Sequence, residues 1–272
     1  VLDPTFLEDF KAFLPSRKAA VLFRLAPTPS GFLHAGNALN FGLNYTAARH
    51  CEDGRVLLRI DDLDNERTRP EYLQDIFDSL TWLGIHWDLG PRNPLDFEQH
   101  WSQMLRLDLY MDLLTRLRQK GLLFACQKSR KELMPFNGRY PAEFRHQGLD
   151  LDAPDVAWRI KTPENAPLPD FIVRRRDGIP AYQVASVADD LHFGVTHVIR
   201  GADLKASTWA QQFLAECAGL STEFSRIQFL HHPLLLDNHG EKLSKSAGAA
   251  SLKHAREMGA EPPFGDLFSA FR

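Results

Sequence analysis

The chain has 272 residues, 44% of them hydrophobic and 25% charged, with 32 Lys and Arg against 35 Asp and Glu and a formal net charge of −3. That length suits one large globular domain, or a domain carrying a substantial insertion, and the composition is ordinary for a soluble globular protein; the slight negative charge argues against indiscriminate nucleic-acid binding. No apolar run approaches the ~20 residues of a membrane span, no signal-peptide pattern opens the chain, and Cys51, Cys126 and Cys217 are scattered without C-x-x-C, as expected in a reducing, cytoplasmic setting.

Residues 1–20 precede the first regular run as an extension. "VLFRLAP" (Val21–Pro27) predicts a short strand, followed by a Pro/Gly loop and a helix from about Ala35 to His50. "RVLLRI" (Arg55–Ile60) predicts a second strand whose apolar middle suits a buried parallel sheet. In "PEYLQDIFDSLTWLGI", Leu73, Ile76, Phe77, Leu80 and Leu83 fall at helical spacing, with Pro70 in the first turn. "FEQHWSQMLRLDLYMDLLTRLRQKG" predicts one long amphipathic helix ending at Gly121. Regularity fails from Leu122 to Asp170, where "TPENAPLPD" is a proline-rich connector, and this stretch reads as an insertion. α/β character resumes with "DFIVRR", "AYQVASVADDL", "THVIRG" and the helix "KASTWAQQFLAECAGL"; "IQFLHHPLLL" is a last strand-like run before a polar loop.

Two loops carry the chemistry. In "RLAPTPSGFLHAGN" (Arg24–Asn37), a strand feeds a tight turn and then a helix. Such a turn aims unpaired N–H groups and the positive helix end at a ligand, and suits a phosphate. His34 adds a polar side chain and Gly36 leaves room for a flat base. Neither G-x-x-x-x-G-K-[ST] nor G-x-G-x-x-G is present, and read alone the turn also suits a plain capped loop. Near the other end, "GEKLSKSAG" (Gly240–Gly248) places Lys242 and Lys245 between small residues, a cationic loop suited to charge on a leaving pyrophosphate.

"FLHAG" and "KLSKS" resemble the two signature motifs of class I aminoacyl-tRNA synthetases. The longer strings "RLAPTPSGFLHAG", "LLRIDDLD", "WLGIHWDLGP", "FIVRRRDGIPAYQVASVADD", "THVIRGADL" and "HHPLLLDNHGEKLSKS" resemble the glutamyl-tRNA synthetase catalytic domain, from about Val21 to Ser251. A full synthetase of that kind continues into a helical anticodon-binding region that this sequence does not contain, so the resemblance is nearest to its glutamyl-Q tRNA(Asp) branch.

The fold this implies is an α/β class I Rossmann-type parallel sheet domain with an inserted connective subdomain and a C-terminal KMSKS-loop segment. Its divisions would be an extension (1–20), the first half of the catalytic domain (21–121), the insertion (122–170), the second half (171–225) and the KLSKS loop with the C-terminal segment (226–272). The implied activity is ATP-dependent formation of glutamyl-adenylate without tRNA, then transfer of glutamate to queuosine in the anticodon of tRNA(Asp).

Arg24 and Arg200 match the family arginines for the substrate glutamate, a role that suits the guanidinium fork. Ala26 and Thr28 lie where the family contacts glutamate, and Tyr182 matches the tyrosine whose hydroxyl bonds it. Asp61 would receive the ammonium, at a position where the family more often has glutamate. ATP with Mg2+ would lie across His34, Gly36, Asn37, Lys242, Ser244 and Lys245, with His34 a phosphate donor rather than a proton shuttle.

Many glutamyl-Q enzymes hold zinc in the insertion through a C-x-C pair, a tyrosine and a later cysteine. Here Cys126 and Tyr140 remain, but Lys128 and Phe144 occupy the other two places, so no structural zinc is expected and polar contacts or packing should replace it. Between Arg116 and Gln147, eight basic residues stand against Glu132 and Glu143, a local +6 that would face tRNA. The acceptor stays open at this level: a small-molecule or protein amine would suit the same activation chemistry. An RNA-binding relic and a truncated tRNA(Glu)-charging enzyme are further alternatives.

Overall fold

The computed structural model describes residues 3–64, 66–136, 140–235 and 251–265. In chain order the principal elements are α1 (Pro4–Phe13), β1 (Val21–Leu25), α2 (Ala35–Arg49), β2 (Gly54–Leu58), α3 (Pro70–Trp82), α4 (Leu107–Gln119), β3 (Leu123–Cys126), β4 (Ala157–Ile160), β5 (Ile172–Arg174), α5 (Tyr182–His192), β6 (His197–Gly201), α6 (Lys205–Ala218), β7 (Gln228–His232) and α7 (Leu252–Glu257). They form two compact units, one of 1–105, 194–204 and 227–272, the other of 106–193 and 205–226.

The first unit is built on a parallel four-stranded sheet in the order β2-β1-β6-β7. Every residue of β1 is buried, as a central strand covered on both faces requires. The chain returns from β1 to one side through α2 and β2, while β6 lies on the other side, so the strand order reverses between β1 and β6. Ligands of open α/β sheets bind at the carboxyl ends of the strands at such a point. There β1 pairs with β6 only through Phe23 and His197. Farther along β6, the N–H and carbonyl of Ile199 are taken by the Asn44 side chain at 3.1 and 2.8 Å. A fully buried amide from α2 thus satisfies backbone groups that β1 does not reach.

The described part of the extension, residues 3–20, contributes to this core. Asp3 caps α1 and Pro4 occupies its first turn. Phe6 and Phe10 pack into the same cluster as Phe23, Leu25, Leu39 and Ile199, and the ring of Phe13 meets those of Phe23 and His197 edge-on.

The predicted 97–121 helix is broken. Phe97–Trp101 is a π-helical turn, Gln103–Arg106 is a 3-10 turn, and α-helix begins only at Leu107. Asp62 is the cause. Buried just after β2, it accepts the Ser102 hydroxyl at 2.6 Å and the Gln103 N–H at 2.8 Å, and Ser102 takes an extended ψ of 138°. Local periodicity favoured a continuous helix, but a desolvated carboxylate needs donors and takes them from the backbone.

In the second unit α4, α5 and α6 pack together beside an antiparallel sheet in the order β3-β4-β5. The irregular stretch expected over 122–170 therefore contains two strands, and β5 pairs antiparallel with β4. Asp189, fully buried on α5, accepts both Arg106 at 2.9 and 3.1 Å and the Tyr110 hydroxyl at 2.9 Å. Although burial alone would lower the Arg106 pKa, this carboxylate raises it.

Candidate active site

Arg24 on β1 and Arg200 on β6 are both buried, at 5% and 3% exposure, on strands that adjoin at the switch point. The Arg200 guanidinium lies 5.0 Å from the Phe229 ring centroid, on the neighbouring β7. Beyond the end of β1, the ladder to the β2 side continues: Arg59 N–H donates to Leu25 O and Asp61 N–H to Pro27 O, each at 2.9 Å. These bonds draw Asp61 alongside Ala26, Pro27 and Thr28. Thr28 is exposed and Ala26 half-buried, so the turn opens outward while the acid lies below it.

Asp61 is held by a bidentate, buried ion pair, with Arg59 Nε on one oxygen at 2.7 Å and a terminal guanidinium nitrogen on the other at 3.0 Å. The sequence reading missed Arg59. Its signal was an arginine set in the apolar run "VLLRI" two residues before an acidic pair, where a cation with no ligand role needs an anion of its own. Asn40 and Asn44 were missed too, although asparagines four apart in "ALNFGLN" share one face of an otherwise apolar helix.

His34 starts α2. Its Nδ1 accepts the Gly36 N–H at 3.1 Å, and its own N–H donates to Asn37 Oδ1 at 3.0 Å, a reciprocal cap. With Nδ1 accepting, a neutral ring carries its proton on Nε2, and the side chain can act as a donor there. The room above Gly36 is used differently from the expectation of a bound base. A Cβ there would stand 2.9 Å from His34 Cε1, so the glycine accommodates the histidine ring.

His232, at the end of β7, meets Asn40 Nδ2 at 3.2 Å, and Asn40 Nδ2 also donates to Ile199 O at 2.8 Å. His232 Nε2 is therefore an acceptor, and its Nδ1–H donates to Pro233 O at 2.8 Å. Burial pushes its pKa down, consistent with a neutral ring.

Lys242, Ser244 and Lys245 lie outside the described residues, but the chain on both sides of them is placed. Leu235 packs on the core of the first unit. Ser251 forms a β-bridge with His34, and Leu252 N–H donates to Leu33 O at 2.7 Å. The described chain nearest the KLSKS string on its C-terminal side is thus joined directly to the FLHAG turn.

The model of the class I tRNA synthetases (E and Q), catalytic domain, matches residues 20–148 and 149–264. The chain belongs to that family. The glutamyl-Q tRNA(Asp) synthetase of Pseudomonas fluorescens is 37% identical over 275 residues, covering 91% of this chain and 87% of its own length. The protein of the same name from Synechococcus sp. (strain CC9605) is 39% identical over 240 residues, covering 87% and 77%. A glutamate tRNA ligase from Elizabethkingia meningosepticum, solved in complex with its amino acid, superposes with a TM-score of 0.69 at 25% identity; it covers 85% of this chain, which spans about half (53%) of that one. The Mycobacterium tuberculosis methionyl-tRNA synthetase, at 15% identity and a TM-score of 0.56, shares the fold.

Tyr182 of this class I synthetase stands on the second unit, 40% exposed at the first residue of α5, whereas the other described site residues belong to the first unit. The same unit contains the pair left from the family's zinc pattern. Tyr140 donates to Cys126 Sγ at 3.1 Å, the Lys128 N–H reaches that sulfur at 3.3 Å, and Gln147 donates to the tyrosine oxygen at 2.8 Å. Phe124, Phe144 and Leu133 pack around them, with the Lys128 ammonium over the Phe144 ring. Burial pushes the Cys126 thiol up, but the Tyr140 hydroxyl, the Lys128 N–H and the Arg159 guanidinium outweigh it and the net direction is down; the phenol moves up in response to burial and to the sulfur. With Lys128 and Phe144 in the other two places, Cys126 and Tyr140 supply only two donors for a four-coordinate ion, and among the described residues no group of three His, Cys, Asp or Glu is placed to share a metal.

The basic 116–147 segment is less free than its formal charge. Arg118 pairs with Asp152, Lys128 with Glu132 and Arg145 with the buried Asp170, while Lys120 donates to Cys217 O. Arg116 and Lys131 are exposed; Arg139 and the Arg130 side chain lie outside the described residues. No helix among the described residues is long and apolar enough to cross a membrane.

Proposed function

We propose that this synthetase activates glutamate with ATP in the absence of tRNA and then transfers it to queuosine in the anticodon of tRNA(Asp). The observation that carries the first step is the gathering of Arg24, Asp61 and Arg200, all buried, at the carboxyl ends of three adjacent parallel strands beside the His34 turn. Two guanidiniums favour a diacid, because each planar fork suits a carboxylate through parallel charge-assisted bonds. Arg24 and Arg200 hold the glutamate carboxylates, and Tyr182, Ala26 and Thr28 complete its contacts. Arg59 fixes the Asp61 carboxylate by a bidentate pair, and that carboxylate receives the substrate ammonium.

The family implies ATP with Mg2+. His34 Nε2–H, the Gly36 and Asn37 turn, and Lys242, Ser244 and Lys245 bind the phosphates. The glutamate α-carboxylate, already ionised, attacks the α-phosphorus in line; the α–β bridging bond breaks, pyrophosphate leaves, and no general base is required. The queuosine step is supported by the names of the relatives at 37% and 39% identity, more than by the basic segment, where Arg118 and Arg145 are paired with carboxylates.

ATP–pyrophosphate exchange without tRNA tests the first step. Glutamate should support exchange and aspartate and glutamine should not, and Arg200→Ala should raise the KM for glutamate about 10- to 100-fold, the loss of charge-assisted bonds. Exchange that needs tRNA, or that prefers another amino acid, overturns this reading. Transfer of labelled glutamate to tRNA(Asp) with and without queuosine tests the second step, and equal labelling of both would remove it.

A further inference from the structure

The His34 turn is held from behind by a carboxylate with no part in the substrate contacts above. Asp75 on α3, 2% exposed, accepts the Leu33 N–H on one oxygen at 3.1 Å. Its other oxygen accepts the Ser79 hydroxyl at 3.2 Å and the Arg256 guanidinium at 3.3 Å. A second Arg256 nitrogen donates to Ser79 Oγ at 2.9 Å, and Asp78 stands 3.6 Å from the guanidinium. Arg256 lies on α7, whose first residue donates to the Leu33 carbonyl at 2.7 Å. Leu33 is therefore gripped at its N–H by α3 and at its carbonyl by α7, and Arg256 joins those two helices. The side chains of Leu33 and Leu252 are buried in the same core.

A staple serving stability alone would not need this arrangement. Exposed Asp78 already offers Arg256 a partner, and apolar contact between α3 and α7 would avoid desolvating a carboxylate. Asp75 instead bonds a backbone N–H immediately before the residue that caps α2. We propose that Asp75, Ser79 and Arg256 form a positioning clamp that fixes the His34 turn relative to α7, acting on nucleotide binding through Leu33 without touching substrate. The inference rests on the proposed ATP site for its catalytic consequence, but its mechanical part does not.

The test uses Arg256→Met, Arg256→Lys and Asp75→Asn in the full chain. Asparagine keeps one acceptor for Leu33 but presents an amide nitrogen to Ser79 and Arg256, so it uncouples the clamp with little change in volume. Amide hydrogen exchange well below the melting temperature should quicken about tenfold at Leu33 and Leu252 together in Arg256→Met, which loses the guanidinium bonds to Asp75 and Ser79, with partial recovery in Arg256→Lys. In the exchange assay Arg256→Met and Asp75→Asn should raise the KM for ATP several-fold while leaving the KM for glutamate near wild type. Faster amide exchange confined to 253–258, or equal effects on both KM values, overturns the clamp. A wild-type protein inactive with glutamate and ATP would instead overturn the proposed function, while the amide measurement would still decide the clamp.

Discussion

An alanine methyl at position 36 would stand 2.9 Å from His34 Cε1, so Gly36→Ala displaces the imidazole while suiting the helix. Gain in helix propensity and loss of the His34 cap offset each other, and the variant should unfold within about 1 kcal/mol of wild type in urea. Its pyrophosphate exchange should nevertheless fall about 100-fold, the cost of misplacing a phosphate donor by an ångström. Unchanged exchange would mean that His34 only caps the helix. The same scale shows how far sequence reading reaches. The Arg24, His34 and Arg200 positions were legible because their strings are long and ordered, whereas the bidentate hold of Arg59 on Asp61 depends on where the chain runs after β2.

At the scale of elements, the strands β1, β2, β6 and β7 and the helices α2, α3 and α6 lie where their apolar patterns place them. The 97–121 helix did not, because its pattern carries no trace of Asp62 forty residues away, which draws Ser102 and Gln103 out of the helix. The N-terminal extension hid an element of the core. Phe10 is fully buried among β1, α2 and β6 residues. Phe10→Ala should cost about 3–5 kcal/mol in urea unfolding, the range for an emptied aromatic site. A loss below about 0.5 kcal/mol, the behaviour of a surface position, would show that α1 contributes little to the first unit.

Two histidines of the parallel sheet contribute to the response of the whole molecule's stability to pH near neutrality. His197 packs against the rings of Phe13 and Phe23, and burial pushes its pKa below the ordinary 6.5. Burial does the same to His232, against smaller upward pulls from the Pro233 carbonyl and Asp203. Unfolding frees both rings to titrate normally, so just below 6.5 the unfolded chain binds more protons than the folded one. Stability therefore rises with pH through that window and is lost as pH falls below it. Between about pH 7.5 and about pH 5.5, wild type should lose more melting temperature than His232→Gln or His197→Phe. Parallel losses in all three proteins would exclude these rings as the cause.

By itself the sequence determined the α/β class, the family, the helix that starts at His34 and the strands that carry Arg24 and Arg200. Each of these is written in local pattern or in strings of fixed order, which survive without knowledge of the fold. Tertiary structure alone decided that α1 belongs to the core, that Asp62 breaks a helix and that Asn44 satisfies Ile199. It also decided that Asp75 links the His34 turn to α7 and that two of the eight basic residues of the 116–147 segment, Arg118 and Arg145, are paired with Asp152 and Asp170. The physical reason is common to all of them. A buried polar group must find a partner, and the partner is chosen by proximity in space, which the spacing of residues along the chain does not encode.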